Sequence, residues 1–356
     1  MIRLFFKAKL ETRLLEIWYG GSKSTTLESF ALNILESVYK GLRAFGRHDS
    51  KSAHSKTHTN PPVLVIGNLI AGGAGKTPLV MAVCQFMQLH GKKVGIVSRG
   101  YGRRSSHAVL IDPREPLPVA DEVGDEPLFL CAQTHCPVAV GADRNAALSL
   151  LFESYPDLDL VVSDDGLQHH RMRRQLEWVV FDSRGQGNGR MLPAGPLREP
   201  LSRLNSVDAV IASNCSVGYL SQCLNMPRDT KWHEVTVRLI GFKHLQTGEF
   251  LPSKQAAKQW ANLGITAFSG MANPNKLFSA VEALGIKITQ KMPLPDHFDY
   301  PADFCMQFDQ SILITSGKDA VKLNSSNSKV WVAEIHVELP PALTLALEDS
   351  IGPTID

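Results

Sequence analysis

The sequence holds no Cys-x-x-Cys pair, no long apolar run, no internal repeat and almost no net charge. Each absence removes a class of protein. The six cysteines (84, 131, 136, 215, 223 and 305) are scattered, and only Cys131 and Cys136 come close, in "CAQTHC". A zinc site would need further ligands at suitable spacing, and none follow. Reduced, mostly buried thiols of a cytosolic protein are the expectation. Lys plus Arg number 37 against 35 Asp plus Glu, so no global basic field points to nucleic acid. No run approaches the roughly 18–20 apolar residues that span a bilayer. The opening "MIRLFFKAKLETRLLEIWYG" is not a signal peptide, because Lys7, Lys9, Glu11 and Arg13 interrupt it.

What is present is ordinary for a folded soluble chain: 356 residues, 44% apolar and 20% charged. That length suits two domains of about 150 residues each. The N-terminal stretch interleaves large apolar residues with Arg3, Lys7, Lys9 and Arg13. In "TTLESFALNILESVYKGLRAF", Thr25 and Glu28 form a capping box, and Leu27, Phe30, Ala31, Ile34, Leu35, Val38, Leu42 and Phe45 recur at helical spacing. Such helices pack on their own domain or dip into a membrane interface. Residues 46–62 are polar and read as an exposed loop, whose three histidines (48, 54 and 58) are expected to be solvated.

From residue 63, short apolar runs alternate with helical segments. The runs are "VLVIGN", "KVGIVSRG", "PVAVGADR", "LDLVVSDDG", "EWVVFD" and "VDAVIASN". This alternation predicts an α/β fold with a mostly parallel sheet covered on both faces, with ligands at the carboxyl ends of its strands. After about residue 231, "HEVTVRLIGF" alternates like one strand, and three further α/β-like units follow. The predicted organisation is an N-terminal helical and polar segment (1–62), a nucleotide-binding domain (63–230), a smaller α/β domain (231–340) joined by linker strands, and a tail (341–356).

"VLVIGNLIAGGAGKTP" places a strand, then glycines, then a helix start with Pro78 in its first turn. A phosphate loop needs this context, because backbone N–H groups and the helix N-terminus must approach phosphate. Ile70 stands where the strict spacing wants glycine. Ile70, Ala71, Gly72, Gly73, Ala74, Gly75, Lys76 and Thr77 would cradle the nucleotide, with Lys76 on the β- and γ-phosphates and Thr77 on Mg²⁺. The alternative is a glycine turn with a surface lysine.

Asp164 and Asp165 end an apolar strand, where they could hold Mg²⁺ or cap the following turn. His169 and His170 could bind substrate or cover the sheet edge. Asp121, Glu122, Asp125 and Glu126 crowd a loop entering a helix, where acids also sit for dipole reasons. A kinase needs a proton acceptor, and Asp125 or Glu126 could serve. His297, between acids in "LPDHFDY", has little independent support. Arg99, Arg103, Arg104, Arg144, Arg171, Arg173, Arg174 and Arg198 follow or flank strands, where they suit an anionic substrate or are simply solvated.

Together, "IGNLIAGGAGKTP", "SRGYGR", "VGDEP", "VGADR", "SDDGLQHHR", "LPAGPLREP", "FSGMANP" and "DHFDY" resemble the tetraacyldisaccharide 4'-kinase family, in order from about residue 63 to 320. The resemblance implies a P-loop NTPase-type fold and ATP- and Mg²⁺-dependent phosphorylation of the 4'-hydroxyl of a tetraacyldisaccharide 1-phosphate. It implies a peripheral, monomeric enzyme on the cytoplasmic face of the inner membrane, with the N-terminal helices serving lipid access. Lys76, Asp125 and His297 become catalytic, with Asp125 and His297 paired as the base. Thr77, Asp164, Asp165 and Glu126 become metal-site groups, and Asn68, Arg99, Arg103, Arg144, Gln168, His169 and Arg198 substrate groups. The chain departs from the family pattern at Gly317, where an acid usually precedes the lysine at 318. Two rivals remain: a P-loop kinase or synthetase of a soluble substrate, and a nucleotide-gated membrane switch without phosphoryl transfer.

Overall fold

A computed structural model describes residues 2–20, 25–48, 61–103, 107–226, 229, 231–308, 312–323 and 329–352, without the side chains of 2–9, 11 and 44–48. Of the loop predicted over 46–62, residues 49–60 lie outside the described residues, as do Arg104 and the last four; its described ends differ from an exposed loop, since 46–48 continue the second helix and 61–62 are buried. In chain order the strands begin with β1 (Val63–Gly67), β2 (Val94–Ser98), β3 (Val109–Ile111), β4 (Val138–Val140) and β5 (Leu160–Asp164). Then come β6 (Leu176–Phe181), β7 (Ala209–Ser213), β8 (Trp232–Val235), β9 (Val237–His244) and β10 (Phe250–Pro252). β11 (Ile265–Ser269), β12 (Gln290–Pro293), β13 (Ile312–Ser316) and β14 (Val330–Val337) complete the set.

The helices are α1 (Ile2–Tyr19), α2 (Thr26–His48), α3 (Lys76–Leu89), α4 (Ala120–Val123), α5 (Asp125–Thr134) and α6 (Arg144–Ser154). They continue with α7 (Val217–Leu224), α8 (Ser253–Gln259), α9 (Asn275–Glu282), α10 (Gly317–Ala320) and α11 (Pro341–Ile351). None of the described helices is long and apolar enough to cross a membrane.

Two compact units arise from interleaved pieces of chain. The first comprises Met1–Lys76, Asp159–Thr236 and Leu339–Asp356, and the second Thr77–Leu158 and Val237–Glu338. In the first, β5, β1, β6, β7 and β8 lie side by side, all parallel. Every residue of β1, β5 and β7 is buried, which is why these strands read as unbroken apolar runs. In the second unit, β4 pairs parallel with β2 and antiparallel with β3. A six-stranded sheet there runs β10-β9-β14-β13-β11-β12, parallel except at β9 and β10. The alternating stretch 233–242 is not one strand: it breaks at Thr236, so that β8 joins β7 and β9 joins β14. Residues 341–351, within the expected tail, form a helix. The six cysteines are free thiols, four of them buried.

Helix α2 begins at the expected capping box, with Thr25 N–H on Glu28 (2.7 Å) and Glu28 N–H on Thr25 Oγ1 (3.3 Å). Its amphipathicity is inverted. The docked face carries Glu36, Tyr39 and Arg43, while Leu27, Phe30, Ile34, Val38 and Leu42 are exposed.

Ile70 explains the irregular glycine spacing. The chain leaving β1 pairs antiparallel with a later segment through an Ile70–Leu197 bridge. Ala71 N–H donates to Pro196 C=O (2.8 Å), and Arg198 N–H donates to Leu69 C=O (2.6 Å). Ile70 is fully buried, so its side chain anchors the loop where the common pattern has none. Ile70→Gly, which restores the strict spacing, should cost about 3 kcal/mol or more of stability in denaturant titration, with no gain in nucleotide affinity. An unchanged midpoint would contradict this anchoring role.

Candidate active site

The first unit holds the glycine loop. Gly72 (φ +92°) and Gly75 (φ +87°) occupy the left-handed region, and a Cβ at Gly75 would lie 2.8 Å from Ser213 Oγ. These two positions need glycine for backbone reasons. The loop delivers Lys76 at the first position of α3, where Nζ lies 3.2 Å from Asn68 Oδ1 and 3.3 Å from Asp165 Oδ1. Asn68 is buried and uses its other end to donate to Gly72 C=O (2.9 Å), while Gln168 donates to the Asn68 carbonyl (3.2 Å). Arg198 Nη1 stands 3.0 Å from Asp165 Oδ2. Burial pushes the Asp165 carboxyl up, but Lys76 and Arg198 outweigh it and hold the group below its ordinary value. Asp165 therefore stays anionic between two cations, with its backbone at φ +51°. Asp164, one residue earlier, is buried at the end of β5.

The second unit begins at Thr77 and gathers the other acids. Thr77 Oγ1 donates to Glu126 Oε1 (2.6 Å), and Lys318 Nζ donates to the same oxygen (2.6 Å). Asp125, in the first turn of α5, receives His297 Nδ1 and Lys322 Nζ on one carboxylate oxygen, each at 2.9 Å. His297 is held at φ +59°, its N–H on Gly270 C=O, with the Tyr101 ring 5.8 Å away. A non-glycine residue in that region is uncommon and persists only where its surroundings enforce it. Here the enforcing group is buried Asp319, which accepts from Ser269 Oγ, Gly270 N–H and Tyr300 O–H (2.8, 3.0 and 2.8 Å). Lys322 adds a bond to Phe298 C=O (2.8 Å).

The hydrogen bond to Asp125 raises the His297 pKa above 6.5; Asp296 reinforces this, while burial and Lys322 oppose it. Burial would raise Asp125, yet His297 and Lys322 hold it lower than usual. With Nδ1 committed to Asp125, Nε2 is left for a proton acceptor's task, its nearest described acid being Asp296 at 3.9 Å. This is the orienting logic of an acid–histidine pair.

The first unit thus brings Asn68, Lys76, Asp165, Gln168 and Arg198 together, and the second brings Thr77, Asp125, Glu126 and His297 together. The remaining expected residues lie apart from these bonds. Arg99 is exposed, Arg103 donates to Val140 C=O (3.2 Å), and Arg144 is buried on Gly141 C=O. The His169 carbonyl accepts from buried Arg174, and Arg171 and Arg173 are exposed. Sequence reasoning assigned no role to Lys318, Asp319 and Lys322, which lie together in "SGKDAVKL" (316–323). It also missed Arg184, which donates to Gly73 C=O (2.6 Å). At Gly317 a Cβ would lie 2.2 Å from the Phe129 ring, so no acid fits there unless that ring moves.

A family model described as tetraacyldisaccharide-1-P 4'-kinase matches residues 28–352. The chain belongs to this family. The tetraacyldisaccharide 4'-kinase of Dechloromonas aromatica is 38% identical over 86% of this chain and 87% of its own length. That of Hahella chejuensis is 37% identical over 92% of each chain. A crystal structure of Aquifex aeolicus LpxK in complex with ATP is similar at a TM-score of 0.72 and 25% identity, over 91% of this chain and 99% of that one. The fold of this tetraacyldisaccharide-1-P 4'-kinase family member is therefore the P-loop NTPase type that its sequence predicts.

If His297 takes the proton, it must be neutral. The acid limb of kcat/KM should then fall at a pKa above 6.5, and His297→Asn should lower kcat/KM about 100-fold while moving that limb toward the carboxylate range. An unmoved limb would remove His297 from the role.

Proposed function

We propose that the protein transfers the γ-phosphoryl group of ATP to the 4'-hydroxyl of a tetraacyldisaccharide 1-phosphate, giving the 1,4'-bisphosphate and ADP. The observation that carries this reading, in a chain of this family, is the 2.9 Å contact of His297 with Asp125. In the reaction the 4'-oxygen attacks the γ-phosphorus as the bond to the β,γ-bridging oxygen breaks, and the hydroxyl proton passes to His297 Nε2. Asp125 orients the ring and stabilises the imidazolium that forms. Lys76 offsets charge on the β- and γ-phosphates, and the amides of the glycine loop donate to them.

Mg²⁺ fits the oxygen pair of Thr77 and Glu126. Both are hard donors already 2.6 Å apart, Mg²⁺ takes few protein ligands beside phosphates, and the Lys318 ammonium on the same oxygen would have to give way to it. When bound, it supplies neutralisation of phosphate charge. Asp164 is a further acid for that role. Asp165 is already held by Lys76 and Arg198. Arg99, which is exposed, and Arg103 and Arg198, which are half-buried, are the candidates for the substrate phosphate.

The outward apolar face of α2 supports peripheral binding at the cytoplasmic face of the inner membrane, where a lipid substrate is presented. The balanced charge gives no support to nucleic acid as a partner. A monomer meets these needs.

Incubation with γ-labelled ATP, Mg²⁺ and the disaccharide 1-phosphate in detergent micelles should yield labelled bisphosphorylated lipid. Lys76→Ala should reduce that rate by at least about 100-fold, the scale on which one preorganised cationic contact acts. Folded wild-type protein that labels no lipid would overturn the proposal.

A further inference from the structure

One residue joins the glycine loop to the N-terminal helix. Arg198 donates its N–H to Leu69 C=O, and its side chain holds Asp165, which in turn faces Lys76. The Arg198 carbonyl points the other way, toward α2. There it accepts from Tyr39 O–H (3.1 Å) and from Arg43 Nη1.

The same helix grips the segment on either side of that carbonyl. Arg43 Nη2 lies 3.2 Å from Glu199 Oε2, on a carboxylate with no exposed surface, and 3.4 Å from His170 Nε2. Burial, with Arg43, Arg174 and Arg203 nearby, lowers His170 to about 4 despite Glu199, so the ring is neutral and can accept from Arg43. Upstream, Glu36 accepts from Met191 N–H (3.1 Å) and Arg190 Nε (3.0 Å). Residues 190–192 are themselves tied to Leu197 by Leu197 N–H on Arg190 C=O (3.1 Å) and Leu192 N–H on Leu197 C=O (2.9 Å). The 190–199 strap is thus bonded to α2 at both ends and to the root of the phosphate loop through residues 196–198.

We propose that Tyr39 and Arg43 are positioning residues for phosphoryl transfer: by holding the Arg198 carbonyl they set the strap, and the strap sets Asp165 and Lys76. Neither side chain touches the nucleotide in this account. A carbonyl that accepts two donors is fixed in direction more tightly than one that accepts a single bond. Loss of a charged donor to a buried acceptor is also costly, because the acceptor keeps its desolvation penalty. A polar docked face accounts for a feature that membrane binding leaves open, since lipid contact uses only the opposite, apolar side of α2. The inference rests on the kinase reading above for its effect on turnover, though not for its effect on nucleotide binding.

The test is a set of full-length variants, Arg43→Met, Arg43→Lys and Tyr39→Phe, titrated with a fluorescent ATP analogue without lipid and then assayed for turnover in micelles. Arg43→Met should weaken analogue binding about tenfold and lower kcat by a similar factor. Arg43→Lys should recover most of both, and Tyr39→Phe should lose about threefold in each. Binding to anionic phospholipid vesicles should be unchanged in all three, because the apolar face is intact. Wild-type ATP affinity and kcat in folded Arg43→Met, or a defect confined to vesicle binding or lipid KM, would overturn the inference. Should Arg43→Met not fold, Tyr39→Phe decides, since it removes one hydroxyl from an otherwise unchanged ring. Wild-type protein that binds ATP but labels no lipid would sink the function and not this inference, which is then read from ATP affinity alone.

Discussion

Two backbone hydrogen bonds, Ala71 to Pro196 and Arg198 to Leu69, fix the exit of β1 against a distant segment of the chain. A glycine-rich loop has large conformational freedom, and freezing it costs backbone entropy. The short antiparallel pairing, with Ile70 and Leu197 buried at its centre, meets part of that cost before any ligand arrives. The loop glycines can then turn at Gly72 and Gly75 while Lys76 enters α3 in a set direction.

Charge placement follows the same logic in each unit. Lys76 and Arg198 share Asp165, and Lys322 and His297 share Asp125. Each carboxylate is held below its ordinary pKa by two donors, Lys76 and Arg198 on Asp165 and Lys322 and the His297 ring on Asp125. Asp165 and His297 also share a left-handed backbone, a conformation that other residues must enforce. For His297 the enforcing hub is Asp319, bonded to the ends of β11 and β13 and to Tyr300.

Much of this was legible in sequence, and the parts that were not have physical reasons. Strands β1, β5 and β7 were readable because burial on both faces leaves continuous apolar runs. β12, "QKMP", carries no such signal at a sheet edge, and β8 and β9 read as one strand because their alternation continues across Thr236. Lys76 and Thr77 were visible from local spacing, whereas Ile70 looked like a flaw because its partner, Leu197, is remote in sequence. The pairing of His297 with Asp125 came from family resemblance and not from spacing. Nothing local to Lys318 and Lys322 announces the acids on another element that they meet. Buried Asn68 and Arg144 show the converse: polar residues beside a motif whose observed bonds go to the protein's own backbone and loop.

The central claim is that the strap, and not bound nucleotide, orders the root of the phosphate loop. Amide-resolved hydrogen exchange on the ligand-free protein tests it most directly. The Ala71 and Arg198 amides should be protected to the level of the β1 interior, while the Gly73 amide should exchange freely. Rapid exchange at Ala71 and Arg198, slowed only when nucleotide is added, would contradict it.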